Sequence, residues 1–359
     1  VPVQSSTTRA VCRLPNGQAA RLDKEQKNVE LPKYVQFEPV GQCNLRCQMC
    51  ALQFRTYDLG SRRALASWDL FARLVDEIPT MEHLQLQGLG EPMMHPRFFD
   101  MVRYAADRGI RVTTNTNLTL LNDRRAELCL TSGLDTLHAS IDALTPGLYE
   151  EIRVHGSFER VRRNMERLMA ARNGNGATRP RVHVVMVIMR KNLEELPLLV
   201  RQAREWGVDQ LYVQQLSHEF GEAVLPDQYA PMRDFVRGET LLHEDPGRVI
   251  GVFEEARALA AELELDLRLP RVQPRIHPPG TPGPQRCDWP WTSAYVTYDG
   301  YLLPCCIVAT PDRVNLGSMA DHSFEELWNG FHARTFRQQL DSDEPPDVCK
   351  NCSIYHGVF

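Results

Sequence analysis

Cys43-Asn44-Leu45-Arg46-Cys47-Gln48-Met49-Cys50 sets three cysteines at C-x3-C-x2-C spacing, directly after the apolar run Tyr34 to Val40. A structural zinc ion or a [4Fe–4S] cluster is usually held by four side-chain donors, for the cluster four thiolates. Three close thiolates without a fourth nearby point to a cluster with one open iron, where a small molecule can be ligated and receive an electron. A partial zinc knuckle, or three buried cysteines, is the competing reading of the octet taken alone.

Outward from the octet, strands and helices alternate. Tyr34–Val40 reads as a strand, Ser67–Ile78 as a helix capped by Ser67, His83–Gln87 as a strand, and Pro96–Arg108 as a helix stopped by Gly109. Ile110–Thr114 is a strand, Asp123–Thr131 a helix stopped near Gly133, Leu134–Ile141 a strand, and Ser157–Arg172 a helix capped by Ser157. Val182–Met189, Leu193–Trp206 and Gln210–Leu216 follow as strand, helix and strand. Strands rich in Val, Ile and Leu, separated by helices, predict an α/β fold with a parallel sheet and right-handed crossovers. A partial (β/α)6 parallel barrel is the economical arrangement. Its site lies at the C-terminal ends of the strands, where the octet falls.

The expected division is an N-terminal arm over 1–30, the barrel over 31–216, an irregular linker or insertion over 217–285, and a Cys-rich hairpin-plus-helix unit over 286–359. The insertion contains a helical stretch, Val252–Leu263, and a Pro-rich run from Pro270 to Pro284. In the last unit Ser293–Tyr298 and Tyr301–Pro304 flank Asp299-Gly300, a hairpin turn signal. Ser323–Leu340 reads as one helix with a Ser323–Glu326 capping box.

Composition bounds the function. With 359 residues, 43% hydrophobic and 24% charged, the chain is an ordinary globular one. A net charge of −5 gives no electrostatic bias toward nucleic acid or anionic membrane, so neither is expected as a partner. The longest strongly apolar run, Val184 to Met189, is too short to span a bilayer. Ten cysteines cluster as 43/47/50 and 287/305/306/349/352, with Cys12 and Cys129 apart. Clustering at ligand-like spacing favours metal over disulfides. With no basic-then-apolar segment at the start of the sequence, a reducing cytoplasm is the expected location.

The octet resembles the signature of the radical SAM superfamily, down to an apolar residue, Met49, before the last cysteine. Other segments agree in register: Gly88-Leu89-Gly90-Glu91-Pro92, Thr113-Thr114-Asn115-Thr116-Asn117, and Ser140-Ile141-Asp142 with the later Tyr149-Glu150-Glu151-Ile152-Arg153. The resemblance implies that Cys43, Cys47 and Cys50 hold a [4Fe–4S] cluster that binds S-adenosylmethionine. It implies that Glu91, with Gly88 and Gly90, holds the methionyl amine. Asn115 and Asn117 are candidates for the ribose and amino-acid parts, and Ser140 for ribose or carboxylate. Arg153 pairs with the cofactor carboxylate or holds the loop, and Gln214 or Gln215 reaches the adenine side. Ordinary turns and strand-end polarity are the alternative for each segment alone.

Cys287, Cys305, Cys349 and Cys352 make a complete four-thiolate set. A zinc ribbon suits the same ligands. Cys287-Asp288-Trp289-Pro290-Trp291, Tyr298-Asp299-Gly300, Pro304-Cys305-Cys306, Asn315-Leu316-Gly317 and Glu326-Leu327-Trp328-Asn329 make this region similar to the SPASM/twitch extension of the superfamily. Four well-placed cysteines imply the shorter twitch form, with one auxiliary [4Fe–4S] cluster and therefore two clusters in all. Trp289 and Trp291 are expected to pack over the cluster hairpin. Cys306 should face the opposite side from Cys305 and is a buried hydrophobe or a thiol hydrogen donor. Cys129, within a helix, reads as core.

The implied enzyme takes an electron from a donor such as flavodoxin or ferredoxin and cleaves S-adenosylmethionine. The resulting 5′-deoxyadenosyl radical abstracts a substrate hydrogen. The expected reaction is oxidation of a hydroxylated small metabolite, a sugar or aminocyclitol, with the auxiliary cluster as electron acceptor and Arg190, His218 or Glu219 as base. Epimerisation with Cys306 or Cys129 as hydrogen donor is one alternative, and a peptide-modifying maturase another. Maturases often carry an N-terminal peptide-recognition module, and only about 30 residues precede the first strand here. That count sets the expectation toward a small metabolite.

Overall fold

The computed structural model describes residues 28–55, 64–216 and 225–358. Its strands are β1 Tyr34–Phe37, β2 Arg46–Cys47, β3 His83–Leu86, β4 Arg111–Thr116, β5 Leu134–Ser140, β6 Arg153–Val154, β7 Arg181–Ile188, β8 Gln210–Gln215, β9 Leu267–Arg268, β10 Ser293–Val296, β11 Tyr301–Leu303 and β12 Gly317–Ser318. The helices are α1 Trp68–Glu77, α2 Phe98–Ala106, α3 Asp123–Thr131, α4 Pro146–Ile152, α5 Phe158–Gly174, α6 Leu196–Trp206, α7 Ala230–Glu239, α8 Pro246–Glu262, α9 Gly283–Arg286, α10 Trp289–Thr292, α11 Phe324–Trp328, α12 Phe331–Asp341 and α13 Asp347–Lys350.

Strands β1, β3, β4, β5, β7 and β8 pair in parallel, in that order, as the alternating pattern predicts. The sheet is longer than the six expected strands. Short β9 extends it beyond β8. At the other edge β10 pairs in parallel with β1, from Tyr34↔Ser293 to Phe37↔Val296. Strands β11 and β12 follow antiparallel, giving ten strands in one sheet. The C-terminal hairpin is therefore not a free-standing unit. It satisfies the edge of β1, whose backbone groups would otherwise be unpaired, and all four β10 residues are buried.

The strands are not apolar on both faces. Leu84, Leu86, Val112, Leu137, Ala139, Val184, Leu211 and Val213 are fully buried on one side, in a hydrophobic cluster with helix residues such as Phe71, Leu168 and Leu199. The alternate positions carry a polar layer. Gln85 Nε2 donates to Asn115 Oδ1 at 3.0 Å, His83 Nε2 lies 2.9 Å from Thr113 Oγ1, and the His138 and His183 rings meet edge-on at 5.1 Å. Period-two alternation then reads as one face under helices and one face toward the site.

Local signals explain the helix ends. Ser67 Oγ accepts from Leu70 N at 3.1 Å, and Gly207 closes α6 at φ 71°. Ser157 occupies the start of α5 without a side-chain capping bond. The single helix expected over Ser323–Leu340 is two, α11 and α12. The Ser323–Glu326 capping box forms, but the chain turns at Gly330, where a Cβ would stand 2.5 Å from Glu326 O. Among the described residues, no helix is long and apolar enough to cross a membrane.

Candidate functional site

The octet leaves β1 and is held against the end of β5 by a buried ion pair. Strand β2 pairs with β6, setting Cys47 opposite Arg153. Arg153 Nε stands 2.7 Å from Asp142 Oδ2, with both side chains buried, and its Nη1 reaches Cys47 Sγ at 3.9 Å. Gln48 N donates to Ile152 O at 2.9 Å, and Lys191 Nζ to Gln48 Oε1 at 3.0 Å. Donors face Cys43 too. Leu45 N lies 3.3 Å from Cys43 Sγ, and Asn117 Nδ2 lies 3.6 Å from it. Burial pushes Cys43 up to about 11 and Cys50 up to about 12, and it raises Cys47 as well. Bare thiolates are therefore costly here, whereas ligation to iron removes the thiol protons outright.

Beside the three cysteines lies a cavity of about 240 Å³. Gly88, Gly90, Glu91, Asn115, Asn117, Ser140 and Arg153 all line it. The glycines are required by close approach. A Cβ on Gly90 would stand 2.0 Å from Val40 O, and one on Gly88 2.2 Å from Glu38 Cγ. Glu91 does not project as a free carboxylate. It is buried, and it accepts from Thr116 Oγ1 at 2.8 Å, Asn117 N at 2.8 Å and Met93 N at 3.1 Å. Burial raises its pKa, and these three bonds oppose the rise. Glu91 thus ties the glycine loop to the end of β4, with little acceptor capacity left for a ligand amine.

Several expected residues lie elsewhere. Gln214 is not in the cavity wall, and Gln215 is buried on the opposite strand face, 3.4 Å from Arg271 O. Arg190 is committed to a segment after α7, donating to His243 O at 2.8 Å and pairing with Glu244 at 3.2 Å, so it is not positioned as a base. His218, Glu219 and Cys12 lie outside the described residues. Cys129 is fully buried in the core.

The reading from sequence missed Glu38. It is fully buried at the end of β1 and accepts from Arg55 Nη1 at 3.0 and 2.9 Å, Leu89 N at 3.1 Å and Tyr298 N at 3.3 Å. Arg55 lies 5.1 Å from the centre of the Tyr298 ring. One carboxylate therefore joins the strand before the octet, the glycine loop and the C-terminal hairpin turn. The only sequence signal was an acidic residue inside the mostly apolar run Tyr34 to Val40.

Cys287, Cys305, Cys349 and Cys352 line one apolar cavity with Trp289, Phe336 and Leu340. Trp289 lines that cavity and Trp291 does not. Cys306 lines the first cavity, so the Cys305-Cys306 pair spans the wall between the two sites. Among the described residues, no three His, Cys, Asp or Glu side chains stand close enough to share one metal ion. A set of four thiolates around one apolar cavity is the ligand set of a [4Fe–4S] cluster and also one that binds zinc.

Comparison with known proteins agrees with this geometry. Residues 37–203 match the model of the Radical SAM superfamily, and residues 287–353 match SPASM, an iron–sulfur cluster-binding domain. The tungsten-containing aldehyde ferredoxin oxidoreductase cofactor-modifying protein of Pyrococcus furiosus is 32% identical over 338 residues, covering 90% of this chain and 87% of the relative. PqqA peptide cyclase of Granulibacter bethesdensis is 23% identical over 328 residues, covering 90% and 80%. The crystal structure of Streptococcus suis SuiB bound to precursor peptide SuiA superposes with a TM-score of 0.65 at 14% identity, over 91% of this chain and 71% of that one. At that identity the likeness shows the fold alone.

These relatives overturn the expected oxidation of a sugar or aminocyclitol, and they do not support the dehydrogenase-or-epimerase assignment or the small-molecule partner. The expectation rested on a count of residues before the first strand. A cyclase named for a peptide aligns with 90% of this chain, so that count does not separate the substrate classes.

Proposed function

Because this chain belongs to the radical SAM superfamily and carries a SPASM iron–sulfur domain beyond its barrel, we propose that it is a maturase that modifies a peptide by hydrogen abstraction. It is a radical SAM enzyme, and its cofactors are S-adenosylmethionine and [4Fe–4S] iron–sulfur chemistry. When bound, these supply a carbon-centred radical able to abstract hydrogen from an unactivated carbon.

Cys43, Cys47 and Cys50 hold the cluster that meets the cofactor. Gly88 and Gly90 offer backbone to the cofactor, Glu91 fixes that loop, and Asn115, Asn117 and Ser140 orient the cofactor from the strand ends. Arg153 holds the octet through Asp142 rather than pairing with the cofactor carboxylate. Cys287, Cys305, Cys349 and Cys352 hold a single auxiliary [4Fe–4S] cluster, as in the twitch form. A donor of the flavodoxin or ferredoxin type supplies electrons. The protein orients the reacting groups and excludes water.

The observation that carries the substrate class is the alignment with a peptide cyclase along 90% of this chain. A second reading is favoured by the higher identity, 32%, to a protein named for modifying the cofactor of a tungsten enzyme. The test is anaerobic incubation of iron-loaded protein with S-adenosylmethionine and synthetic peptides from short reading frames beside its gene. A peptide that raises 5′-deoxyadenosine formation and itself changes mass supports the proposal. Stimulation by none of them, with stimulation by the cofactor released from a tungsten-containing aldehyde ferredoxin oxidoreductase, moves the assignment to the second reading.

A further inference from the structure

The cavity beside the octet takes its wall from several parts of the chain. The glycine loop and the strand ends supply the polar side chains Glu91, Asn115, Asn117 and Ser140. The loop after β11 adds Cys306, Ile307, Ala309 and Arg313. Among the described residues between β8 and β10, Met232 alone enters the wall, from α7. It is 1% exposed. Two ties fix the helix that carries it. Just ahead of α7, Tyr229 Oη donates to Asp312 Oδ2 at 3.0 Å and Gln228 Nε2 donates to the same oxygen at 2.9 Å, which joins α7 to the loop after β11. Glu239, the last residue of α7, accepts from Lys191 N at 3.1 Å and lies 3.5 Å from Lys191 Nζ, which itself donates to Gln48 Oε1 of the octet at 3.0 Å. The loop is fixed as well. Ala309 adopts a left-handed backbone, φ 58°, which a residue with a Cβ holds only where its surroundings impose it. Arg313 Nη1 donates to Val308 O at 3.0 Å, and Thr310 N donates to the same oxygen at 2.7 Å.

We propose that Met232 is a specificity-determining residue which, with Ile307 and Ala309, receives an apolar side chain of the substrate peptide, a role that rests on the peptide reading above. The polar groups that suit S-adenosylmethionine come from the glycine loop and the strand ends. Met232, Ile307 and Ala309 add apolar wall from two other elements, and Arg313 beside them turns its Nη1 onto its own loop. A charged side chain buried against these three residues leaves water without gaining a partner from them, whereas an apolar one gains by the burial. A fixed wall also discriminates by size, because packed elements do not yield to a larger group without strain. Both elements here are tied down, so the thioether of Met232 sets the depth of the pocket. The segment between barrel and C-terminal unit, which carries none of the expected motifs, thus reaches the site through one side chain.

The test uses the iron-loaded chain, S-adenosylmethionine and the peptide whose mass changes in the preceding experiment. That peptide is remade with Leu, Phe or Glu at each position in turn, and its dissociation constant and kcat/KM are measured. At one position the parent should bind the Leu peptide more tightly than the Glu peptide. Met232→Ala, which deepens the pocket, should move the Phe-to-Leu ratio of kcat/KM at that position about tenfold or more toward Phe. Met232→Phe should move it the other way, and Met232→Leu, of similar volume, should keep the parent's ratio. The dissociation constant of S-adenosylmethionine should stay the same throughout. Ratios that neither Met232→Ala nor Met232→Phe alters at any position overturn the inference. A weaker hold on S-adenosylmethionine with unaltered peptide ratios also overturns it, since Met232 would then belong to the seat of the cofactor. A parent chain that changes no peptide would instead remove the peptide reading on which the inference rests, before any change at Met232.

Discussion

At the scale of single residues, two buried side chains make separable predictions. Glu91 is expected to act on S-adenosylmethionine through the loop it anchors. Glu91→Gln sets an amide NH2 against the donors of Thr116, Asn117 and Met93. Hydrogen bonds to charged groups contribute about 1.5–3 kcal/mol each, so cofactor affinity should fall about tenfold or more while iron content holds. Equilibrium binding under anaerobic conditions measures this, and an unchanged dissociation constant removes Glu91 from the site. His138 reports on the polar strand face. Burial, then the neighbouring His183, holds His138 down at about 4 from an ordinary 6.5. The folded chain keeps this imidazole neutral, while the unfolded chain takes up a proton as pH falls below 6.5. Its contribution is fully present above pH 6.5 and is lost as pH drops toward 4, with a slope of about 1.4 kcal/mol per pH unit. His138→Gln should flatten the fall in urea midpoint between neutral pH and about pH 5. A slope identical to the parent's would contradict the neutral buried imidazole.

At the scale of elements, the strand that precedes the octet joins barrel and C-terminal hairpin through β10 and through Glu38. Removing one partner of a buried ion pair leaves the other charge stranded, at a cost of about 3–5 kcal/mol. Glu38→Gln should therefore lower the thermal unfolding midpoint of the iron-loaded protein more than the double change Glu38→Gln/Arg55→Met does. A double variant worse than the single would mean that the pair itself is stabilising. This joint also marks where sequence reading stopped. Six parallel strands were legible because Val, Leu and Ile recur with helices between them, and the glycine loop was legible because its spacing follows the octet. The β10–β1 ladder was not, because pairing between residues so far apart leaves no local pattern. Alternating polar positions such as Gln85, Asn115 and His138 were visible, but only the fold shows that they form one layer. Arg190 illustrates the converse. A basic residue just past a strand end fits a catalytic role on paper, and tertiary contacts to His243 and Glu244 decide otherwise.

At the scale of the molecule, two cysteine sets occupy separate cavities divided by the Cys305-Cys306 wall. The iron and sulfide content of the anaerobically reconstituted protein, compared with that of the Cys43→Ala/Cys47→Ala/Cys50→Ala variant, tests that division most directly. Two [4Fe–4S] clusters correspond to about eight irons per chain in the parent and about four in the variant, with the variant unable to form 5′-deoxyadenosine. Zinc in the parent, or a variant that keeps the parent's full iron load or loses all of it, would contradict two independently held iron–sulfur centres.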